Sequence, residues 1–290
     1  MRKTAKYFLL VIIFLVIVLV LFFSWRGKNK TNLESEAWPP IPEKTIRIPE
    51  GWTSRDIGQY FEREGQYQSE EFLEIAGFPM VNYQKEKDLP APVDFSAEFS
   101  FLEDKPKYYG LEGYLFPDTY RIYASSSVPE VIRKMLTNFD HKLTPKMRED
   151  IKAQGRTIYE VITLASIIEK EALLNYRTGD NQDAKIVAGI FMNRLSVGQA
   201  LQSDATLSYI YNDKKPAHSG AELEIDSPYN TYKYRGLPPG PICNPGALAI
   251  EAAIYPANTK YNYFLTTNDG RIFYAKTYNE HLANKYKYLK

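Results

Sequence analysis

Hydrophobic positions along the chain change period several times, and each change marks an element. Tyr7 to Phe23 is an unbroken apolar run of seventeen residues, preceded by Arg2, Lys3 and Lys6 and closed by Ser24-Trp25-Arg26. That length reaches the short end of what spans a bilayer as a helix, and no small-x-small cleavage pattern follows it. Residues 1–26 are therefore expected to form a cytoplasmic start and an uncleaved transmembrane anchor. Residues 27–43 turn polar and then proline-rich (Pro39, Pro40, Pro42), the composition of a stalk. Alternation begins in Lys44-Thr-Ile-Arg-Ile-Pro-Glu-Gly51 and predicts a short strand. Thr53 and Asp56 make a capping-box pattern that opens a helix to Glu64, with Gly65 just past its end. A second helix over Ser69 to Ala76 stops at Gly77. Residues 44–80 are small enough to be a module by themselves. Residues 81–107, charged, proline-spaced and weakly periodic, are expected to connect them to a domain over 108–290.

In that domain the 3.6-residue period dominates. Ser127 with Glu130 and Pro129 starts a helix that buries Ile132, Met135, Leu136 and Phe139, and Thr144-Pro145 starts another that ends before Gly155. Thr157 with Glu160 opens a third, running to Leu174. A fourth covers about Asp183 to Leu195, and a short fifth follows Ser203. Ser227 to Pro245 is a long loop; such loops inside a compact domain are functional or disordered, and its tyrosines and asparagines argue against disorder. Asn244-Pro245 caps a helix to about Ile254. Tyr261–Thr266 and Arg271–Ala275 form a hairpin around Asn268-Asp269-Gly270, and a Thr277/Glu280 box starts the terminal helix. Helices in the middle with strands at the flanks give an α+β class: a small βα module, then a mixed helical domain with a C-terminal hairpin.

Composition narrows the chemistry. A net charge of +1 argues against a nucleic-acid surface. Cys243 is the single cysteine, and the three histidines (His141, His218, His281) are scattered, so neither a disulfide framework nor metal-ligand spacing is present. No metal or cofactor is expected. A large domain outside the membrane suits a lone N-terminal anchor, and one cysteine is compatible with that side.

The helix from Thr157 carries the sharpest candidate. At roughly 100° per residue, Leu164, Ile167, Ile168, Glu171 and Leu174 share one face, while Glu169 lies well over a quarter-turn away. Glu171 alone is expected to point inward. A carboxyl held against aliphatic side chains keeps its proton towards neutral pH, which is what a general acid at a glycosidic oxygen requires. Four polar clusters accompany it: Glu112-Gly-Tyr114 with Pro117-Asp118-Thr119; Asn193-Arg194; Leu201-Gln-Ser-Asp-Ala-Thr206; and Tyr229-Asn230-Thr231 through Asn244. Amides, hydroxyls and aromatic faces with few fixed charges suit a sugar site. Each has a plainer reading. Ser203-Asp204 is also a helix start, Asn193-Arg194 also a structural pair, Glu112 and Asp118 also turn or capping groups, and Cys243 also loop filler.

The strings Glu112-Gly-Tyr-Leu-Phe-Pro-Asp-Thr-Tyr120, Leu164-Ala-Ser-Ile-Ile-Glu-Lys-Glu171, Phe191-Met-Asn-Arg-Leu195, Leu201-Gln-Ser-Asp-Ala-Thr206, Tyr229-Asn-Thr-Tyr232 and Gly236-Leu-Pro-Pro-Gly-Pro-Ile-Cys-Asn-Pro-Gly246 occur in this order. Together they closely resemble the endolytic murein transglycosylase family (MltG, YceG-like), and Thr45 to about Ala76 is similar to its LysM-like subdomain. The resemblance implies a bacterial plasma-membrane lyase facing peptidoglycan. Such an enzyme cuts β-1,4 bonds between N-acetylmuramic acid and N-acetylglucosamine within glycan strands and leaves 1,6-anhydro ends. It also implies Glu171 as the catalytic acid, then base, with Gln202, Ser203, Asp204, Tyr229, Asn230, Asn193 and Glu112 as substrate-side residues. Implied partners are glycan strands, the membrane through one helix, and peptidoglycan synthases, in keeping with a role in terminating nascent strands. Ala172 follows Glu171 where other lytic transglycosylases commonly carry Ser or Thr. Two other readings stay open: a lysozyme-like hydrolase with Asp204 or Glu112 as second carboxylate, and a non-catalytic glycan-binding scaffold.

Overall fold

Ile46 is buried while Thr45 and Arg47 on either side are exposed, so the alternation expected near residue 44 does form a strand, β1 (Glu43–Arg47). Its partner is β2 (Thr119–Tyr123), paired antiparallel with Glu43 opposite Tyr123 and Arg47 opposite Thr119. β2 turns Tyr120 and Ile122 inward, an alternation that the aromatic and turn-rich string ahead of it obscures in the sequence. The structure is a computed structural model that describes residues 2–30, 42–172, 174–215, 217–267 and 271–289.

The chain divides into two units, Met1–Pro42 and Glu43–Lys290. The first contains α1 (Arg2–Lys30), whose described side chains, Ile12 to Arg26, are exposed. Among the described residues no helix is long and apolar enough to cross a membrane. Most of the expected stalk, residues 31–41, lies outside the described residues.

In the second unit the start signals work as read. The Thr53 hydroxyl accepts from Asp56 N at 3.1 Å and the Asp56 carboxylate accepts from Thr53 N at 2.9 Å, opening α2 (Ser54–Arg63). α3 (Ser69–Ala76) ends at Gly77, φ +94°, where an added Cβ would fall 2.4 Å from the Cα of Gly110. Only glycine permits that backbone crossing. Residues 81–107 do more than connect: Phe95, Phe101 and Leu102 lie in the core, and Phe101 packs on Phe139. α4 (Val128–Lys142) buries the four predicted residues together with Val128 and Val131. α5 (Pro145–Ala153), α6 (Ile158–Glu171), α7 (Gln182–Ser196), α8 (Asp204–Tyr211) and α9 (Ala247–Ile254) follow. The hairpin β3 (Tyr263–Thr266) and β4 (Ile272–Ala275) and the helix α10 (Tyr278–Tyr288) close the chain. The expected hairpin turn, residues 268–270, lies outside the described residues.

α6 differs from its sequence reading. Every residue from Val161 to Ile168 is buried, because α5, α7, α8 and α9 all pack on it. It is a central helix covered all round, not an amphipathic one. Burying Val161, Ile162, Leu164, Ile167 and Ile168 contributes on the order of 10 kcal/mol of transfer free energy before chain entropy is charged against it. The helix also stops at Glu171, so Leu174 packs from outside it. Full enclosure removes the basis for expecting one inward glutamate: Glu169 and Glu171 are both half-buried, with different partners, Tyr176 and Gly246 for the first and Ser203 for the second.

Candidate active site

α6 delivers Glu171 on its last turn, and α8 begins against it. The Ser203 hydroxyl donates to Oε1 of Glu171, and the backbone N–H of Ala205, in the first turn of α8, also reaches this carboxyl. Ser203 is held in turn: its N–H donates to the Thr231 hydroxyl at 3.0 Å, and Thr206 Oγ1 lies 3.0 Å from the same oxygen. The hydrogen bond that Ala172 cannot supply thus comes from Ser203.

Several effects compete at Glu171. Desolvation is the largest and holds the carboxyl above its ordinary range, and the negative charge of Asp204 adds to it. The Ser203 and Ala205 donors and the charge of Arg194 oppose them, and the net direction is upward. A carboxyl that keeps its proton while a hydroxyl orients one of its oxygens is prepared to donate from the other.

Arg194 is buried, and among the described residues no carboxylate lies within ion-pair distance of it. Its Nε and Nη2 donate to the Asn262 carbonyl at 3.0 and 2.8 Å, and its Nη1 donates to the Leu201 carbonyl. The guanidinium thereby fixes the start of the Leu201-Gln-Ser-Asp string and adds its charge near Glu171. The neighbouring Asn193 donates to the Thr259 and Tyr261 carbonyls at 3.0 and 3.2 Å, tying α7 to the hairpin.

Gln202 is exposed and has φ +51°, a left-handed backbone that a residue with a Cβ adopts at a cost. Its N–H donates to the Thr231 carbonyl at 3.1 Å, so the strain is held by the same loop that holds Ser203. The Tyr232 hydroxyl lies close enough to Asp204 and Glu171 for both carboxyls to act on it. Next to Tyr232 a polar cavity of about 610 Å³ opens between residues 197–200 and Lys233 and Arg235. Tyr232 was not singled out from the sequence, although the Tyr229-Asn-Thr-Tyr232 string contains it.

The remaining expected residues lie deeper. Asn230 is fully buried; its amide donates to the Leu223 and Ile225 carbonyls at 2.8 and 2.9 Å, and its oxygen accepts from Tyr232 N at 3.0 Å. Tyr229 packs on Tyr209, ring centroids 5.4 Å apart. Glu112 is buried and receives Ser54 N at 3.0 Å, the Ser54 hydroxyl at 2.9 Å, Asn244 Nδ2 at 3.1 Å and the Tyr209 hydroxyl at 3.3 Å. Burial pushes it up to about 7. Glu169 accepts from the Tyr176 hydroxyl at 2.5 Å and Gly246 N at 3.0 Å, and burial pushes it too up to about 7. Cys243 is buried, and burial holds its thiol well above its ordinary range, unsuited to a nucleophile. Among the described residues no group of acidic, histidine or cysteine side chains could hold a metal ion.

The model of the YceG-like family matches residues 30–287. The endolytic murein transglycosylase of Bacillus subtilis (strain 168) is 38% identical over 179 residues, 62% of this chain and 48% of that protein. The endolytic murein transglycosylase of Streptococcus pneumoniae serotype 2 strain D39 is 35% identical over 254 residues, 83% of this chain and 44% of that protein. The chain therefore spans about half the length of the curated relatives it matches. A crystal structure of a YceG-like protein from Listeria monocytogenes superposes with a TM-score of 0.66 at 34% identity, covering 84% of this chain and 76% of that one.

Proposed function

The chain belongs to the YceG-like family, and from that premise we propose that it is a lytic transglycosylase of peptidoglycan with Glu171 as its single acid and base. The carrying observation is the half-buried Glu171 carboxyl, desolvated and oriented by Ser203 at the junction of α6 and α8. In the first half-reaction protonated Glu171 donates to the oxygen between N-acetylmuramic acid and N-acetylglucosamine, and the bond to C1 breaks. In the second, the resulting carboxylate takes the proton of the muramic 6-hydroxyl, whose oxygen closes onto C1. A 1,6-anhydro end forms, no water is consumed, and Glu171 regains its proton. The substrate supplies its own nucleophile, which removes the need for a second catalytic carboxylate.

In this reading Gln202, Asp204 and Tyr232 face the glycan beside the cavity at Arg235, and the strained Gln202 amide is aimed at an N-acetyl group. Asn230, Tyr229, Asn193 and Glu112 act from behind, holding the loop and helices that carry those residues. The side chains described in α1 cover only residues 12–26, and in this reading the whole apolar run 7–23 is the anchor in the bacterial plasma membrane, with 43–290 on the outer side. Residues 44–80 give a LysM-like contact to glycan, and cleavage beside peptidoglycan synthases ends nascent strands.

Asp204 also supports a second reading, a hydrolase in which it activates water. Mass spectrometry of digested glycan strands separates the two: anhydro-muramic ends are expected, and reducing ends in their place would sink the transglycosylase. A Glu171→Gln protein that releases as much product as the parent would sink both.

A further inference from the structure

The ring of His218 is wholly enclosed, although its neighbours Ala217 and Ser219 are exposed. It stacks on Tyr211, centroids 5.7 Å apart and planes 21° from parallel. Its Nδ1 lies 3.5 Å from Oδ1 of Asp204 and its Nε2 lies 3.3 Å from Oδ1 of Asp213. Among the described residues neither ring nitrogen has a hydrogen-bond partner although both are buried, so the two carboxylates face them at ion-pair distance, where an imidazole N–H is the only donor offered to them from this ring. Stacking alone calls for no such pair of acids, since a phenyl ring would cover Tyr211 equally well.

One of those acids belongs to the candidate site. Asp204 follows Ser203, lies beside the Tyr232 hydroxyl, and presses its charge on Glu171. We infer that His218 is a positioning residue for the reaction: seated between Asp213 and Asp204, it holds the Asp204 carboxylate at the start of α8 and screens Glu171 from the charge that this carboxylate presents. The inference rests on the acid-base role proposed for Glu171. The groups facing His218 are Asp204 and Tyr211 on α8 and Asp213 in the turn after it, with Lys215 3.6 Å beyond Asp213 and paired also with Glu222. Those facing Glu171 are Asp204, Arg194 and Tyr232.

With the imidazole in place beside it, Asp204 is screened from Glu171; with the imidazole gone, Asp204 acts on Glu171 undiminished. The test is the pH profile of anhydro-end formation on purified peptide-free glycan strands, parent against His218→Gln. The basic limb, where protonated Glu171 is lost, is expected to move up by about half a pH unit. Asp213→Asn, which leaves the histidine but removes the carboxylate at its Nε2 and so loosens its seat, is expected to move the limb the same way by less. It also serves if His218→Gln fails to fold. A brace needed only for folding would lower rates at every pH and leave the limb in place. A limb that overlays the parent's, or moves down, overturns the inference. Glu171→Gln run alongside keeps the two ideas apart: if it still forms anhydro ends, the proposed function fails. If it is inert while the His218→Gln limb has not moved, only the role of His218 fails.

Discussion

Ser203 donates its hydroxyl hydrogen to Oε1 of Glu171 across 32 positions of sequence, from a residue whose own N–H is tied to Thr231. The bond favours the charged carboxylate, opposing the desolvation that keeps Glu171 protonated. Ser203→Ala is therefore expected to raise the proton affinity of Glu171 and shift the basic limb of glycan cleavage to higher pH, while the lost orientation lowers the maximal rate about tenfold. Glu171→Gln, with the same shape and no transferable proton, is expected to lower anhydro-end formation by a factor of roughly 100 to 10,000 with an unchanged thermal midpoint. Unequal folding of the two proteins would void the comparison, and equal rates in parent and Glu171→Gln would refute it.

Arg194 reaches Glu171 by charge and the Leu201 string by hydrogen bonds. Arg194→Met fills similar volume over Tyr263 but leaves the carbonyls of Leu201 and Asn262 without these donors. Stability should fall by about 2–4 kcal/mol, read from urea unfolding, and the basic limb should again move up because a nearby cation is gone. A stable variant with an unmoved limb would contradict both parts.

Burial raises Glu112 and Glu169 to about 7, whereas an unfolded chain holds glutamate near about 4.3. Between those values the folded state binds more protons than the unfolded one, so stability falls as pH rises from about 4.3 to about 7 and levels off above. Each group is worth on the order of 4 kcal/mol at most. Denaturant midpoints followed through this window should decline. Glu169→Gln should flatten part of the decline, because its amide carries no titrating proton; an unaltered slope in that variant would be the contrary result.

Gln202 stands at φ +51° with an exposed side chain. Gln202→Gly should relieve about 1 kcal/mol of backbone cost while weakening glycan binding, so the thermal midpoint rises as KM rises. A variant that binds as well as the parent would remove Gln202 from the substrate side.

Local signals carried most of the fold. The boxes at Thr53, Ser127, Thr157 and Thr277 and the glycines at 65, 77 and 155 act over a few residues, and each element they announce is present. β1 was also legible, but β2 was not, because pairing residue 43 with 123 is a long-range event and the string before Thr119 reads as turns. α6 was misjudged for the same reason: a helix enclosed by four others shows no polar face, so period alone cannot tell which of Glu169 and Glu171 is withdrawn. Glu171 and the Leu201-Gln-Ser-Asp string were visible as polar groups within apolar surroundings. Their meeting through Ser203, and the part played by Tyr232, depend on how α8 docks against α6. Asn230 was conspicuous as a polar residue in a long loop, yet its amide is spent on that loop's own backbone.

The Glu112 carboxylate binds the first turn of α2 and the side chain of Asn244 at once, and Asn244 in turn accepts from Gly113 and Leu115 at 3.0 and 2.9 Å. If residues 44–80 hold a sugar as proposed, that sugar stands at a set offset from the bond presented to Glu171, as on a ruler without a hinge. Fragments released by the parent should cluster in size, and loosening this rivet with Ser54→Ala should spread the distribution, a difference that chromatography of the digest resolves.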